Sequence, residues 1–368
     1  MIKSLILFTK LILFVTIFTL VSCSFSNDAK PLAPEEDDES AIRQDDESAI
    51  QHDDGTEEKA DNDSEKTAAE EDAEISDSDS YTEPDNEPEI PEEEKIKSVV
   101  IGTYNTHLFF DTNCDSQNCS GSDFENLPTN SEYTAKVSDL ADSVKEIGAD
   151  IILLQEIEKD SCLKDLFEKS GGYDEFYLGE RGYSASIDTG VMTKGKITYK
   201  NLHASKIECE GCEDGKTTFS HTFLETHITL GGRKIIVFSA HFKSKNDDDP
   251  SRRLAEAAAA VKILKITAEK YPDALIVMGG DLNDEPGSDT LKYFENDPAF
   301  LRVADELSSK NQATYSYHGN AIALDHIFWV KTDGGTYKKD SAEVVKDAPS
   351  TYSLGSSDHA ALKAVFEF

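Results

Sequence analysis

Asn105, Glu156, His241 and Asp281 each close an apolar, β-rich run; Asn283 stands just beyond, and the pairs Asp325-His326 and Asp358-His359 follow further along. Taken singly, each has an ordinary explanation: an edge carboxylate, a satisfied core histidine, or a turn in which Asp or Asn bonds its own backbone. Taken together, they are the groups that hydrolysis of a phosphoester requires. Carboxylate and amide oxygens hold a hard divalent cation that polarises the phosphoryl group. A further carboxylate takes the proton of the attacking water. Histidine, asparagine or lysine donors meet the charge that develops on the equatorial and departing oxygens. A carboxylate beside a histidine sets that ring's tautomer and pKa.

Groups so far apart in sequence meet only if strands deliver them. Residues 99–105 read as a strand, and residues 133–147 carry apolar side chains at helical spacing up to a stop at Gly148. Residues 151–154 form a buried strand ending in Gln155-Glu156. Strands are expected over 190–192, 219–230 and 234–241, then a long alanine-rich helix over 252–271. A strand from Ala274 to Met278 runs into Gly279-Gly280-Asp281, and residues 327–330 and 361–368 supply the last strands. Many strands interleaved with few helices indicate a mixed α/β domain. Strand ends along one edge of a sheet are where sites are assembled.

Six motifs occur in order: Tyr104-Asn105-Thr106, Leu154-Gln155-Glu156, His241-Phe242-Lys243-Ser244, Gly280-Asp281-Leu282-Asn283, Leu324-Asp325-His326-Ile327-Phe328 and Ser357-Asp358-His359. The series resembles the endonuclease/exonuclease/phosphatase superfamily, which includes deoxyribonucleases, sphingomyelinases and inositol polyphosphate phosphatases. The resemblance spans about residues 97–368 and is specific because of the order, each motif alone being weak. It implies an α/β (α+β) four-layered sandwich, two mixed β-sheets face to face and flanked by helices. It implies Glu156 as the principal Mg²⁺ ligand, with Asn105 and Asp358 nearby, Mn²⁺ or Ca²⁺ being the other metals of that type. Asp281 would orient or deprotonate the attacking water and Asn283 would stabilise the transition state. His359 would contact the phosphate or act as general acid/base with Asp325 holding its ring, and His241 would be the second phosphate-contacting histidine.

Weaker candidates surround these. Lys243 and Ser244 lie beside His241 as phosphate contacts, with a plain surface charge as the alternative for Lys243. Tyr317 either lines the site or packs the core. Arg252 or Arg253 suits a structural salt bridge equally well, and Asp188 precedes a strand where relatives often place a substrate-side polar group. Ser220-His221 stands where relatives often carry an arginine. His241 stands where abasic-site endonucleases usually have tyrosine, which argues against DNA repair.

The rest of the chain bears on location. Residues 1–22 read as a secretory signal: Lys3 and Lys10 accompany an apolar run, residues 11–21, that is short for a membrane span. Leu20-Val21-Ser22-Cys23 resembles a bacterial lipobox, implying lipidation of Cys23 and a membrane anchor that does not span. Residues 23–97 read as an acidic, disordered stalk. Between residues 24 and 97 stand 29 acidic and 6 basic residues, too much like charge and too few aromatics to fold. Of the net charge of −37, about −16 therefore belongs to residues 98–368. Such a surface repels bulk nucleic acid and anionic lipid, so a nuclease reading rests on a local metal site. Cys114 with Cys119, and Cys209 with Cys212, are spaced for short-loop disulfides that leave Cys162 free.

The expected protein is an exported, lipid-anchored, monomeric Mg²⁺-dependent phosphodiester hydrolase of nuclease type, on the outer membrane, the cell surface or a periplasmic face. Nucleic acid or another phosphoester would be its substrate. A phosphatase or a sphingomyelinase/phospholipase C-like hydrolase is the alternative among enzymes. A sphingomyelinase-like enzyme would need an exposed aromatic hairpin, for which the sequence offers only the tyrosine-bearing loop from Gly171 to Tyr183. A non-catalytic surface-binding protein on the same fold is the alternative of another class. Retention of Glu156, Asp281, Asn283, Asp358 and His359 together weighs against it.

Overall fold

A computed structural model describes residues 91–368 apart from 93, 121–123, 183–184 and 247. The expected signal sequence, the lipidation site Cys23, the stalk as far as residue 90 and Tyr183 lie outside the described residues.

The chain begins with β1 (Ser98–Phe109), α1 (Asn130–Ile147), β2 (Ile151–Ile157), α2 (Asp160–Ser170), β3 (Glu175–Leu178), β4 (Asp188–Thr193) and β5 (Lys196–His203). The short β6 (Ile207–Glu208) and β7 (Lys216–Thr217) lead to β8 (Phe223–Leu230), β9 (Arg233–His241), α3 (Pro250–Lys270), β10 (Leu275–Asp281) and α4 (Asp289–Glu295). Then come β11 (Phe300–Arg302), α5 (Ser309–Gln312), β12 (Tyr315–Tyr317) and β13 (Asn320–Ile322). The last are β14 (Asp325–Val330), β15 (Thr336–Tyr337), β16 (Glu343–Val345) and β17 (Ala361–Glu367).

One large sheet runs β15-β17-β1-β2-β4-β3, with β16 also on β17; the other runs β11-β14-β10-β9-β8-β5. Each contains a parallel pair, β1 with β2 and β9 with β10, among antiparallel neighbours. A parallel pair needs a crossover, and α1 and α3 provide the two. Thr129 and Glu132 start α1 with reciprocal side-chain-to-backbone bonds, and Gly148, at φ 64°, ends it.

Alternation along the strands builds the layers. Val99, Ile101, Ile151, Leu153, Ile235, Val237, Leu275 and Val277 fill the space between the sheets. Their neighbours Tyr104, Ile152 and Leu154 pack under α1 and α2, while Ile236, Phe238, Ile276 and Met278 pack under α3 and α4. The result is the expected four-layered sandwich. Both faces of the central strands are covered, which is why they read as unbroken apolar runs. Ahead of β1, Ile96 joins the inter-sheet core and its N–H bonds the Gly231 carbonyl at 3.0 Å. Cys114 is bonded to Cys119 and Cys209 to Cys212, and Cys162 is free and buried. No helix among the described residues is long and apolar enough to cross a membrane.

On the β8 face shared with Phe223, Glu225 lies 2.8 Å from His203 Nε2 and 2.7 Å from His227 Nε2. Burial opposes its ionisation, yet the two imidazole hydrogen bonds prevail and hold its carboxyl down at about 2, against 4.5 for a free glutamate. A carboxyl held lower in the folded state stabilises the protein above its unfolded pKa and loses that contribution as pH falls towards the folded value. Linkage puts the contribution at roughly 3 kcal/mol. Glu225→Gln is therefore expected to lose stability to urea at pH 7 and to show a shallower loss between pH 4.5 and 2. Equal unfolding midpoints for both proteins at pH 7 would contradict this.

Candidate active site

Register in the second sheet places Asp281 between His241 on β9 and Asp325 on β14. Gly280 permits this close packing, since a Cβ there would collide with the Ala240 carbonyl. In the first sheet Asn105 pairs with Gln155, the residue before Glu156. Glu156 (φ 64°) and Asn283 (φ 51°) both adopt left-handed backbone, a conformation costly for side-chain-bearing residues that collects at functional sites. His326 falls on the opposite face from Asp325, with its Nε2 3.0 Å from the Asp284 carbonyl.

Asn105 joins the sheets: its Nδ2 donates to Glu156 Oε1 at 2.9 Å and to Asp281 Oδ2 at 3.1 Å. Glu156 Oε2 accepts from the Leu108 N–H at 2.7 Å, and Asp281 Oδ1 from the Asn283 N–H at 2.8 Å. Asn283 Nδ2 donates to the Phe242 carbonyl at 3.0 Å. Beside this acidic half lies an imidazole half. His359 Nδ1 is 2.8 Å from Asp325 Oδ2, and its Nε2 is 3.8 Å from Asp281 Oδ2. The Ser357 hydroxyl donates to the Asn105 carbonyl at 2.7 Å and accepts from the His359 N–H at 3.0 Å, fixing the loop that carries His359. His241 Nε2 stands 3.9 Å from Glu156 Oε1, and its ring stacks on that of His221.

Environment divides the two imidazoles, His359 and His241. Burial works against charge on His359, but Asp325, bonded to it, and then Asp281 raise its pKa to about 10. Burial, then the nearby charge of His359, lowers His241 to about 3. Burial and the Asp325 carboxylate push Asp281 well above the usual carboxylate range. The site thus holds one charged and one neutral imidazole around a buried aspartate.

A family model for the endonuclease/exonuclease/phosphatase family matches residues 102–359. The chain belongs to that family. No curated protein matches it. Among solved structures it is similar to truncated TDP2 of Caenorhabditis elegans, at 18% identity over 75% of this chain and 100% of that one, TM-score 0.52. An endonuclease/exonuclease/phosphatase protein of Bacteroides vulgatus is 16% identical over 74% of this chain and 100% of its own, TM-score 0.53. A mannosyl-6-phosphatase of Bacteroides thetaiotaomicron is 17% identical over 73% and 100%, TM-score 0.53. At these identities the likeness is one of fold. Family membership makes the protein a phosphoric ester hydrolase.

The family's metal requirement finds a suitable donor set. Glu156, His241 and Asp281 each offer a ligand atom within 4.8 Å of the others, mostly hard oxygen donors. Asn105 lies between the two carboxylates. Asp358 stands apart from that trio, its Oδ1 3.0 Å from His107 Nδ1. Asp281, Asp325 and His359 form a second such cluster.

Of the flanking candidates, Lys243 is held through its backbone N–H by Glu256 at 2.7 Å, and the Ser244 hydroxyl accepts from the Asn246 N–H at 3.1 Å within a turn. Arg253 is buried on Asp248, Asp284 and the Lys243 carbonyl, the structural salt bridge of the sequence reading. Asp188 is buried and braces the loop before β4 by accepting from Ser186 Oγ at 2.7 Å. Tyr317 is 56% exposed beside His318 at the tip of the β12–β13 hairpin, so it does not pack the core.

Three site residues escaped the sequence reading. Tyr315 lays its ring 4.8 Å from that of His359; its two-residue spacing from Tyr317 puts both on one strand face. His221 was noted only as the residue in place of an arginine. Glu256, fully buried in α3, accepts from the Ser220 N–H at 2.5 Å and the Lys243 N–H at 2.7 Å, tying together the loops that flank His221 and His241. Glu256→Ala strands two amide donors and is expected to destabilise the protein by about 3 kcal/mol. Thermal unfolding measures it, and an unchanged midpoint would show that the loops do not need this tie.

Proposed function

We propose that the protein is a Mg²⁺-dependent phosphodiesterase acting on nucleic acid, exported, tethered through a lipidated Cys23 and working as a monomer. The observation that supports hydrolysis best is the convergence of Glu156, Asn105 and Asp281 with two imidazoles, His241 beside Glu156 and the Asp325-held His359 beside Asp281. A divalent cation held by Glu156 and Asp281 with Asn105 beside them would polarise the phosphoryl group. Asp281, oriented by the Asn283 N–H and the Asn105 amide, receives the proton of the attacking water. His359, its ring held by Asp325, donates from Nε2 to the departing oxygen. His241 and Asn283 face the equatorial oxygens.

A nucleic-acid substrate is favoured by Tyr315 and Tyr317, which form an aromatic step leading outward from His359. A base next to the scissile phosphate would stack there. Hydrolysis of single-stranded DNA, duplex DNA, RNA, sphingomyelin, mannose 6-phosphate and inositol phosphates by the purified protein tests this. Mg²⁺-dependent cleavage of a nucleic acid is the expected result. Release of phosphate from monoesters alone would transfer the reading to a phosphatase. Hydrolysis of none with Mg²⁺, Mn²⁺ or Ca²⁺ would leave a surface-binding protein. For the tether, detergent partitioning of the wild type against Cys23→Ala decides, and an aqueous wild type would refute it.

A further inference from the structure

The rings of His221 and His241 lie face to face, centroids 4.0 Å apart and planes 9° from parallel. His221 is clamped. Its Nδ1 is 2.9 Å from the Ile187 carbonyl, and because a carbonyl only accepts, that nitrogen carries the proton. Ile187 is itself packed with Phe110 and Ala185, and the preceding Ser220 N–H is held by Glu256. His241 has no comparable clamp. Its Nδ1 is buried without a hydrogen-bond partner among the described residues, and its Nε2 is 3.9 Å from Glu156 Oε1, too far for a hydrogen bond. Rotation about the Cβ–Cγ bond of histidine is soft, so an unsupported ring tilts out of the plane that carries Nε2 towards Glu156.

We propose that His221 is a positioning residue: its ring is a fixed plate that holds the plane of His241, the plane in which His241 Nε2 reaches towards Glu156 and the phosphate. This inference rests on the phosphoester-hydrolase reading of the site, and it assigns His221 no contact of its own with substrate.

The experiment compares His221→Ala, His221→Phe, His241→Ala and the double variant His221→Ala/His241→Ala, with bis(p-nitrophenyl) phosphate and Mg²⁺. His221→Ala should lower kcat about 10- to 100-fold, the scale of a misplaced group, with KM within about threefold. His221→Phe keeps a flat ring without nitrogens and should recover most of kcat. The double variant should be no slower than His241→Ala, because His221 acts through His241. Independently of turnover, long-range ¹H–¹⁵N spectra of the metal-free protein should show one set of His241 imidazole signals in the wild type. The signals should split or broaden in His221→Ala and return to one set in His221→Phe. A His221→Phe protein as slow as His221→Ala, additive losses in the double variant, or unchanged His241 signals would each overturn the proposal. If the wild type hydrolyses no phosphoester, the functional reading falls, while the imidazole spectra still decide whether His221 orders His241.

Discussion

Replacing His359 by alanine is expected to lower kcat/KM by about three orders of magnitude, within the range assigned to a positioned acid or base. The more diagnostic change is Asp325→Asn, which keeps the 2.8 Å contact to His359 Nδ1 but removes the charge behind it. Charge on His359 is needed for donation to the departing oxygen, so activity should decline as pH rises through the pKa of that ring. Asp325 and Asp281 raise that value to about 10 against the cost of burial. In Asp325→Asn the alkaline limb should therefore move down by several pH units, and activity should be partly recovered in acid. The same sign governs stability. A histidine whose pKa is raised on folding contributes fully below its unfolded value of 6.5, and the contribution disappears as pH rises through about 10. A pH–rate profile unchanged by Asp325→Asn would refute the role given to the pair.

Glu156→Ala should cost at least about three orders of magnitude in activity, because metal polarisation of the phosphoryl group supplies several kcal/mol. Stability separates that loss from unfolding. Glu156 crowds Asp281 through a shared Asn105 amide, so in the absence of metal two carboxylates repel each other. Neutralising one as Glu156→Gln relieves that repulsion and keeps an acceptor for the Leu108 N–H at the cost of the bond from Asn105 Nδ2, so the metal-free protein should stay folded with a midpoint close to that of the wild type. The rise in Tm that Mg²⁺ or Mn²⁺ produces in the wild type should vanish in the variant, by mass action on the folded state. Metal titration by calorimetry would give the same answer. Undiminished binding in Glu156→Gln would move the cation elsewhere, with the Asp281, Asp325 and His359 cluster the next place to test.

The strand ends were legible because strands covered on both faces leave long apolar runs, and a polar residue closing such a run stands out. Residues 151–154 and 234–241 lie inside β2 and β9, and the strand expected from Ala274 corresponds to β10. The reading failed where tertiary contacts override local pattern. Phe219 alternates with Phe223 as along one strand face, but β8 starts at Phe223. Glu256 and Arg181 take the backbone groups of Phe219 and Ser220 that a ladder would have used. Short edge strands such as β3, β11 and β15 have too few residues to show a period. The hairpin β12–β13 carries little apolar signal, and its value lies in bringing Tyr315 onto His359.

Sequence alone determined the residue types of a phosphoester hydrolase, their order along the chain and a mixed α/β domain to carry them, which follow from chemistry and from periodicity, both of them local. The four-layered sandwich was implied by the family resemblance of the six ordered motifs. Register decided most of the rest, because a one-residue slip turns a side chain to the other face. It separates Asp325 from His326, bringing the first to His359 and sending the second to the Asp284 carbonyl. It sets Asn105 across the inter-sheet gap between Glu156 and Asp281. Loop contacts rather than register lay His221 on His241, through the Ile187 carbonyl, Glu256 and Arg181. The charged state of His359 and the neutral state of His241 are likewise tertiary, since two histidines with the same unperturbed pKa diverge only through burial and the carboxylates that folding sets beside one of them.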